Sequence, residues 1–237
     1  MNDLASSFED AWESFQVRDS LRLAGDALEV EWTRGRAQYL AVLARIEDAA
    51  VRAYLARIAE RLTGIAGVEP FPEWYWHITV AGVGFQVVKR TCEDDVLRQD
   101  VSRIAGKARA FFSREEAFEA QLGPVNAFAD VVFVEAADGG RFRRLHAGLY
   151  EELPEIPRSP VDGAAFLPHV SIARFASQDG LDGLKRALAE TRDEGSGPAL
   201  AIRRVELVKV WLSEEIPELD TIATFALPDG SRQGRYR

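Results

Sequence analysis

The chain has 237 residues and a net charge of −9, from 29 Lys and Arg against 38 Asp and Glu. That length buries a core without covalent staples, and a single cysteine excludes an internal disulfide, a CxxC redox pair and a Cys-rich zinc site. The acidic balance disfavours non-specific binding to long nucleic acid, which rests on Lys and Arg contacts to phosphates, yet leaves a local anion pocket open.

Residues 1–36 read as an accessory segment. Phe8, Trp12 and Phe15 recur at helical spacing, Leu28 to Trp32 (LEVEW) alternates as a strand does, and Thr33 to Arg36 makes a turn. The three aromatics suit packing on the body of the protein or on a partner. Tyr39 to Ile46 (YLAVLARI) predicts a buried strand. Glu47 and Asp48 open a helix over Ala49 to Leu62 with the apolar stripe Val51, Leu55, Ile58 and Leu62. Trp74 to Val80 (WYWHITV) predicts a strand ended by Gly82 and Gly84. Glu93 to Ser113 predicts a helix, and Phe118 to Leu122 a short strand.

The second half repeats the order. Val131 to Glu135 is an expected strand, Asp138 to Gly140 a turn, and Arg141 to Glu152 a helix. Phe166 to Phe175 (FLPHVSIARF) follows as a strand, Leu181 to Thr191 as a helix, and Ile202 to Leu212 and Thr221 to Leu227 as closing strands. Residues 228–237 form a basic tail, expected to be mobile. One interval links the halves: 169 − 77 = 92 aligns the two histidine strands, and the same shift lays Tyr39 to Val42 over Val131 to Val134 and Arg52 over Arg144. A strand, a helix and a motif in one register point to a duplicated unit.

Any imidazole chemistry must come from His77, His146 and His169. His77-Ile78-Thr79-Val80 and His169-Val170-Ser171-Ile172 share the pattern histidine, aliphatic, hydroxyl, aliphatic. Strand alternation puts His77 with Thr79, and His169 with Ser171, on one face about 7 Å apart along the strand. Two imidazoles suit in-line attack at phosphorus, one taking a proton and the other giving one, because the unperturbed pKa is ~6.5. The hydroxyls hold the non-bridging oxygens. A lone strand histidine is usually structural, but two with the same partner at the same offset form a far more specific signal. His146, inside a predicted helix with no hydroxyl at the matching offset, reads as a surface or packing residue. No P-loop, GxGxxG or GxSxG occurs.

These motifs, with Gly82 after the first and Ala173-Arg174-Phe175 after the second, resemble the paired motifs of the two-histidine (2H) phosphoesterases. The likeness is nearest to their 2′-5′ RNA ligase-like branch, which includes RNA 2′,3′-cyclic phosphodiesterases. It spans about residues 37–227 and leaves out residues 1–36. The resemblance implies an α+β, bilobal, pseudo-two-fold fold, with two antiparallel-rich sheets facing a central cleft and helices outside. The lobes would be about 37–122 and 123–227, with exchange of strands between them left open. It also implies metal-independent chemistry without a cofactor, acting on a nucleotide or an RNA 2′,3′-cyclic phosphate end or on 2′-5′-linked ribonucleotides. His77 and His169 become the acid/base pair, and Thr79 and Ser171 the phosphate holders. The alternative is a binding module that holds such an end without turnover.

Arg174 matches the family pattern as a phosphate neutraliser, although strict alternation turns it to the face opposite His169. Tyr75 shares a face with His77 if the strand runs through it, and offers a ring for base stacking. Lys89, Arg90, Arg34 and Arg36 read as solvated surface. No apolar run reaches the ~20 residues of a membrane span, and the acidic start MNDLASSFEDAWESF is unlike a signal peptide, so a cytoplasmic protein is expected. A chain that completes its own cleft needs no second copy, so a monomer is expected.

Overall fold

The computed structural model describes residues 4–158, 166–192 and 195–229. The chain begins with α1 (Leu4–Gln16) and α2 (Ala27–Thr33). The second of these replaces the strand expected over Leu28 to Trp32. Asp26 accepts the amide of Glu29 and caps the first turn, and Arg34, in the left-handed region at φ 48°, ends the helix. A cap at each end decides a segment whose five-residue alternation also fits one turn of helix.

Strand β1 (Gln38–Arg45) leads into α3 (Ala49–Leu62), where Asp48 Oδ1 accepts the amides of Ala50 and Val51. The apolar stripe of α3 is buried as expected. After β2 (Val68–Pro70), residues Glu73–Tyr75 form a 3-10 turn, so β3 (His77–Val87) starts at the histidine and not at Trp74. Nor do the glycines end this strand. Gly84 sits at φ 126°, and a Cβ there would lie 2.6 Å from Asp94 O, so glycine lets the turn after β3 fold back against it. The helix expected from Glu93 begins only at Val101. Asp95 gathers the amides of Thr91 and Cys92 into a turn, and β4 (Asp95–Leu97) pairs in parallel with β3 before α4 (Val101–Phe112).

The remaining elements are β5 (Phe118–Ala127), β6 (Val131–Ala137), α5 (Arg141–Glu152), β7 (His169–Phe175), α6 (Leu181–Arg192), β8 (Ala199–Ile202), β9 (Arg204–Trp211) and β10 (Glu218–Ala226). Phe166, Leu167 and Pro168 precede β7 and are not part of it. Most of the tail, residues 230–237, lies outside the described residues.

The architecture is α+β. Eight strands follow one path, β10-β9-β1-β3-β7-β6-β5-β8, with β4 beside β3 and β2 beside β7. The order divides into two four-strand halves that meet where β3 touches β7, through one register pair, Ile78 with Val170. Beyond that pair the halves diverge, and α5 fills the gap. His146 Nδ1 donates to Val80 O at 2.8 Å, and the Tyr150 hydroxyl to Gly82 O at 2.9 Å. His146 is therefore a buried structural residue, stacked on Phe166 with ring centroids 4.3 Å apart, and not a surface one.

Strand ends keep the 92-residue interval (Arg45 and Ala137), as do helix starts (Ala49 and Arg141). The pairing does not. Arg45 lies opposite His77 but Glu135 lies opposite His169, an interval of 135 − 45 = 90, so β6 is slid two residues along β7.

Ile78, Val80, Val170 and Ile172 point into the main core with the stripe of α3. The opposite, histidine-bearing face carries two smaller apolar clusters, Phe8–Phe133–Leu167 and Ala41–Leu43–Val208. The amino-terminal aromatics pack on the body: Phe8 and Phe15 are buried, and Trp12 is half-buried against the core. Because Phe15 is only 1% exposed, Phe15→Ala should destabilise the fold by about 3–5 kcal/mol, measured as a lower urea midpoint. A change within about 0.5 kcal/mol would show the segment to be dispensable to the core.

Candidate functional site

In antiparallel register, the Ile78–Val170 pair places His77 across from Ser171 and Thr79 across from His169. The two imidazoles thus occupy one diagonal of a four-residue patch and the two hydroxyls the other. Diagonal neighbours on a sheet face lie about 7–8 Å apart, enough to embrace one phosphate. All four side chains are partly buried. Among the described residues, no side-chain hydrogen bond engages either hydroxyl.

Both histidines are held in the same way. His77 Nδ1 is 2.5 Å from Tyr75 O, and His169 Nδ1 is 2.7 Å from Leu167 O, each carbonyl two residues earlier in the chain. A carbonyl only accepts, so each Nδ1 carries the proton and Nε2 is the basic nitrogen of each neutral ring. Aromatic rings fix the imidazole planes. Tyr75 meets His77 edge-on at 5.1 Å, while Phe128 and Phe133 meet His169 at 5.3 and 4.9 Å.

The polar surroundings differ between the halves. Beside His77, Arg45 donates to Glu206 at 2.9 Å and to Leu219 O at 2.9 Å, and the Thr221 hydroxyl donates to Glu206 at 2.8 Å. Beside His169, Glu135 accepts from Arg192 at 2.7 Å and from Asn126 at 2.8 Å. Burial pushes the His77 pKa down to about 4, and the positive fields of His169 and Arg45 add to that shift against the hydrogen bond to Tyr75 O. Burial likewise raises the Glu135 carboxyl above its ordinary range, opposed by Arg192 and Asn126.

Arg174 reaches the histidine face after all. The register shift at Val132/Phe133 inserts an extra residue in β7, so Arg174 pairs with Val131, whose side chain packs with Phe133. Its guanidinium bonds Glu69 at 2.8 Å and Glu215, in the β9–β10 turn, at 3.1 Å, so it sits in an ion-pair cluster. Tyr75 lies in the 3-10 turn, not in the strand, but its ring still ends beside His77. Burial raises its phenol to about 12, with Arg174 opposing and Glu29 reinforcing the shift.

Arg36 is a structural residue and not solvated surface. It lies 3.7 Å over the Phe85 ring and bonds Asp94 at 2.5 Å and Asp95 at 2.7 Å. Burial opposes ionisation of Asp95, but the Thr91 amide and hydroxyl, the Cys92 amide and Arg36 hold its pKa at about 2. Cys92, Asp94 and Asp95 bring three ligand atoms within 4.8 Å of one another, and the Arg36 guanidinium supplies the positive charge there. Phe128, Phe133, Arg45 and Glu135 carried no expected role. The signal that finds them is the alternation of the paired strands, which sets Phe133 and Glu135 on the face of Ser171 and His169.

Comparisons with known proteins show the family and the fold. The family model of the 2′-5′ RNA ligase superfamily matches residues 46–210, more than half of the chain, and the chain belongs to this superfamily of 2H phosphoesterases. Among solved structures it is similar to the Thermus thermophilus protein TT0787, with TM-score 0.60, 19% identity, and 81% of this chain and 99% of that one covered. It is also similar to apo Escherichia coli LigT, with TM-score 0.60, 15% identity, and coverage of 82% and 99%. LigT complexed with 3′-AMP matches with TM-score 0.58, 15% identity, and coverage of 81% and 98%. No curated protein matches the sequence. No helix among the described residues is long and apolar enough to cross a membrane.

The shift of His77 fixes a pH dependence. An unfolded histidine takes up its proton near 6.5, before the folded one does. His77 therefore favours the folded state above pH 6.5 and withdraws that contribution as pH falls from 6.5 through 4. NMR titration should show one imidazole changing near pH 4, and that signal should vanish in His77→Phe. A His77 midpoint near 6.5 would contradict the burial argument.

Proposed function

We propose that the protein is a metal-independent phosphodiesterase acting on 2′,3′-cyclic phosphates or 2′-5′-linked ribonucleotides. The observation that carries this reading is the pair of identically tethered histidines on one sheet face, each with Nε2 as the basic nitrogen of its neutral ring, and two hydroxyls on the crossing diagonal. Membership of the 2′-5′ RNA ligase superfamily supports the reaction class. The nucleotide substrate is supported by a neighbour of the same fold, LigT, which has been crystallised with 3′-AMP, ATP and phosphate.

In the hydrolytic version a water oxygen attacks phosphorus in line with one bridging ribose oxygen. The P–O bond to that oxygen breaks, leaving a phosphomonoester and a free ribose hydroxyl. His77 takes the proton from water, because burial keeps it neutral at pH 7. His169, which then enters protonated, gives its proton to the departing ribose oxygen. Thr79 and Ser171 donate hydrogen bonds to the non-bridging oxygens, whose charge grows in the transition state. A ribose hydroxyl in place of water gives transfer, and its reverse gives ligation. The Tyr75 ring beside His77 suits stacking on the base.

The test is turnover of nucleoside 2′,3′-cyclic phosphates and 2′-5′ dinucleotides with chelator present. His77→Ala and His169→Ala should each lower the rate by about 10² to 10⁴. Unchanged turnover in both variants sinks the two-histidine mechanism. Tight binding with no product would leave a nucleotide-end binding module on the same face.

A further inference from the structure

The amino-terminal segment lies outside the superfamily match, which starts at residue 46, and the solved neighbours are themselves covered almost end to end by about four fifths of this chain. Its helix α1 sends Phe15 into the main core beside the stripe of α3, but Phe8 goes to the other face. Phe8 of α1 sits on Phe133 at a centroid distance of 6.4 Å and in one cluster with Leu167, and Phe133 is the ring against His169. Asn126, whose register partner is Phe133, donates to Phe8 O at 2.8 Å. Arg192 ties Glu9 (2.9 Å) to Glu135 (2.7 Å) and lies 5.0 Å over the Trp12 ring. The first part of α1, around Phe8 and Glu9, therefore covers the histidine face of the β7–β6–β5 half.

The same segment continues onto the other half. Trp32 of α2 packs on Tyr39 and Phe85 at 5.0 and 4.9 Å, and alternation along β1 places Tyr39 on the face of Leu43, beside Thr79. That covers the far end of the face along which β3 runs away from His77. What stays partly accessible between the two covers is the patch of His77, Thr79, His169 and Ser171, with the half-buried Tyr39, Val210 and Leu219 over the Leu43 floor.

We infer that residues 4–33 wall off the two ends of the histidine face and confine the site to a single terminal nucleotide, excluding the body of a longer strand. The inference rests on the phosphodiesterase reading and names its substrate class. A phosphate between the two imidazoles directs its nucleoside over one half or the other. Over the β6 half the nucleoside meets α1, so it lies over the Leu43 floor. The next nucleotide would then have to displace Trp32 or Phe8 from buried apolar contacts, a cost that grows with the surface uncovered.

The experiment uses the full chain and reads binding apart from turnover. Fluorescence competition compares adenosine 3′-monophosphate with tri- and hexa-adenylates ending in a 3′-phosphate, alongside turnover of the matching 2′,3′-cyclic ends. The wild-type chain should bind the mononucleotide about tenfold or more tightly than either oligomer. Equal or tighter oligomer binding overturns the wall. In Glu9→Lys, which sets a cation against Arg192, and in Trp12→Ala, hydrogen exchange reports release of residues 4–16. In a released variant the oligomers should gain about tenfold while the mononucleotide changes little. Release without any gain also overturns the inference. Length-selective binding with no turnover of a cyclic end would instead count against the phosphodiesterase chemistry and leave the wall standing.

Discussion

One backbone contact organises the molecule: the pair of Ile78 and Val170, where the two halves of the sheet touch. A longer ladder would make a flat sheet, with the histidines spread along it. No contact at all would leave their separation to loops. A single pair sets Ile78 and Val170 side by side in the core, and alternation then turns the residues on either side of them toward the other face. The two imidazoles and two hydroxyls are thus positioned by secondary structure alone. Their tethers are equally local, since each Nδ1 is held by a carbonyl two residues back along its own chain. Rigid strands, not loops, carry the two imidazoles and two hydroxyls.

Upon this near-symmetric frame the supporting charges are unlike. The position opposite His77 holds a cation and the position opposite His169 an anion. Each is neutralised by its own partner, Arg45 by Glu206 and Glu135 by Arg192, as partly buried charges must be if desolvation is not to drive them neutral. The two positions still differ in sign, and Arg45 contributes a positive field at His77. A symmetric site has no preferred direction of proton flow. Under the proposed chemistry this difference supplies one, and the two-residue slide of β6 along β7 is its structural origin.

Much of this was legible in the sequence because it depends on period-two alternation and residue type. The two histidine motifs, the stripe of α3 and the 92-residue interval all belong to that class. Other features depended on contacts that alternation does not encode. LEVEW became helical through a cap at Asp26 and a left-handed residue at Arg34. Gly84 continued a strand, because its missing Cβ admits a turn closed by residues ten positions later. Arg174 changed face through one extra residue in β7, which no periodicity shows in advance. Tyr75 reached the site by a route different from the one its position suggested: a 3-10 turn replaced the strand, yet its ring still arrives beside His77. The amino-terminal aromatics announced a helix, but not that Phe8 would lie on the ring packed against His169.

The third histidine carries a consequence of its own. Where β3 parts from β7, its carbonyls would form an open row, and an unpaired strand edge is a template for another chain. His146 and Tyr150 donate into that row from α5, so the edge is closed by side chains without being zipped to the neighbouring strand. The same two residues hold the halves apart and deny the gap to intruding strands. The parting of the two halves is thereby kept from becoming a seed for aggregation.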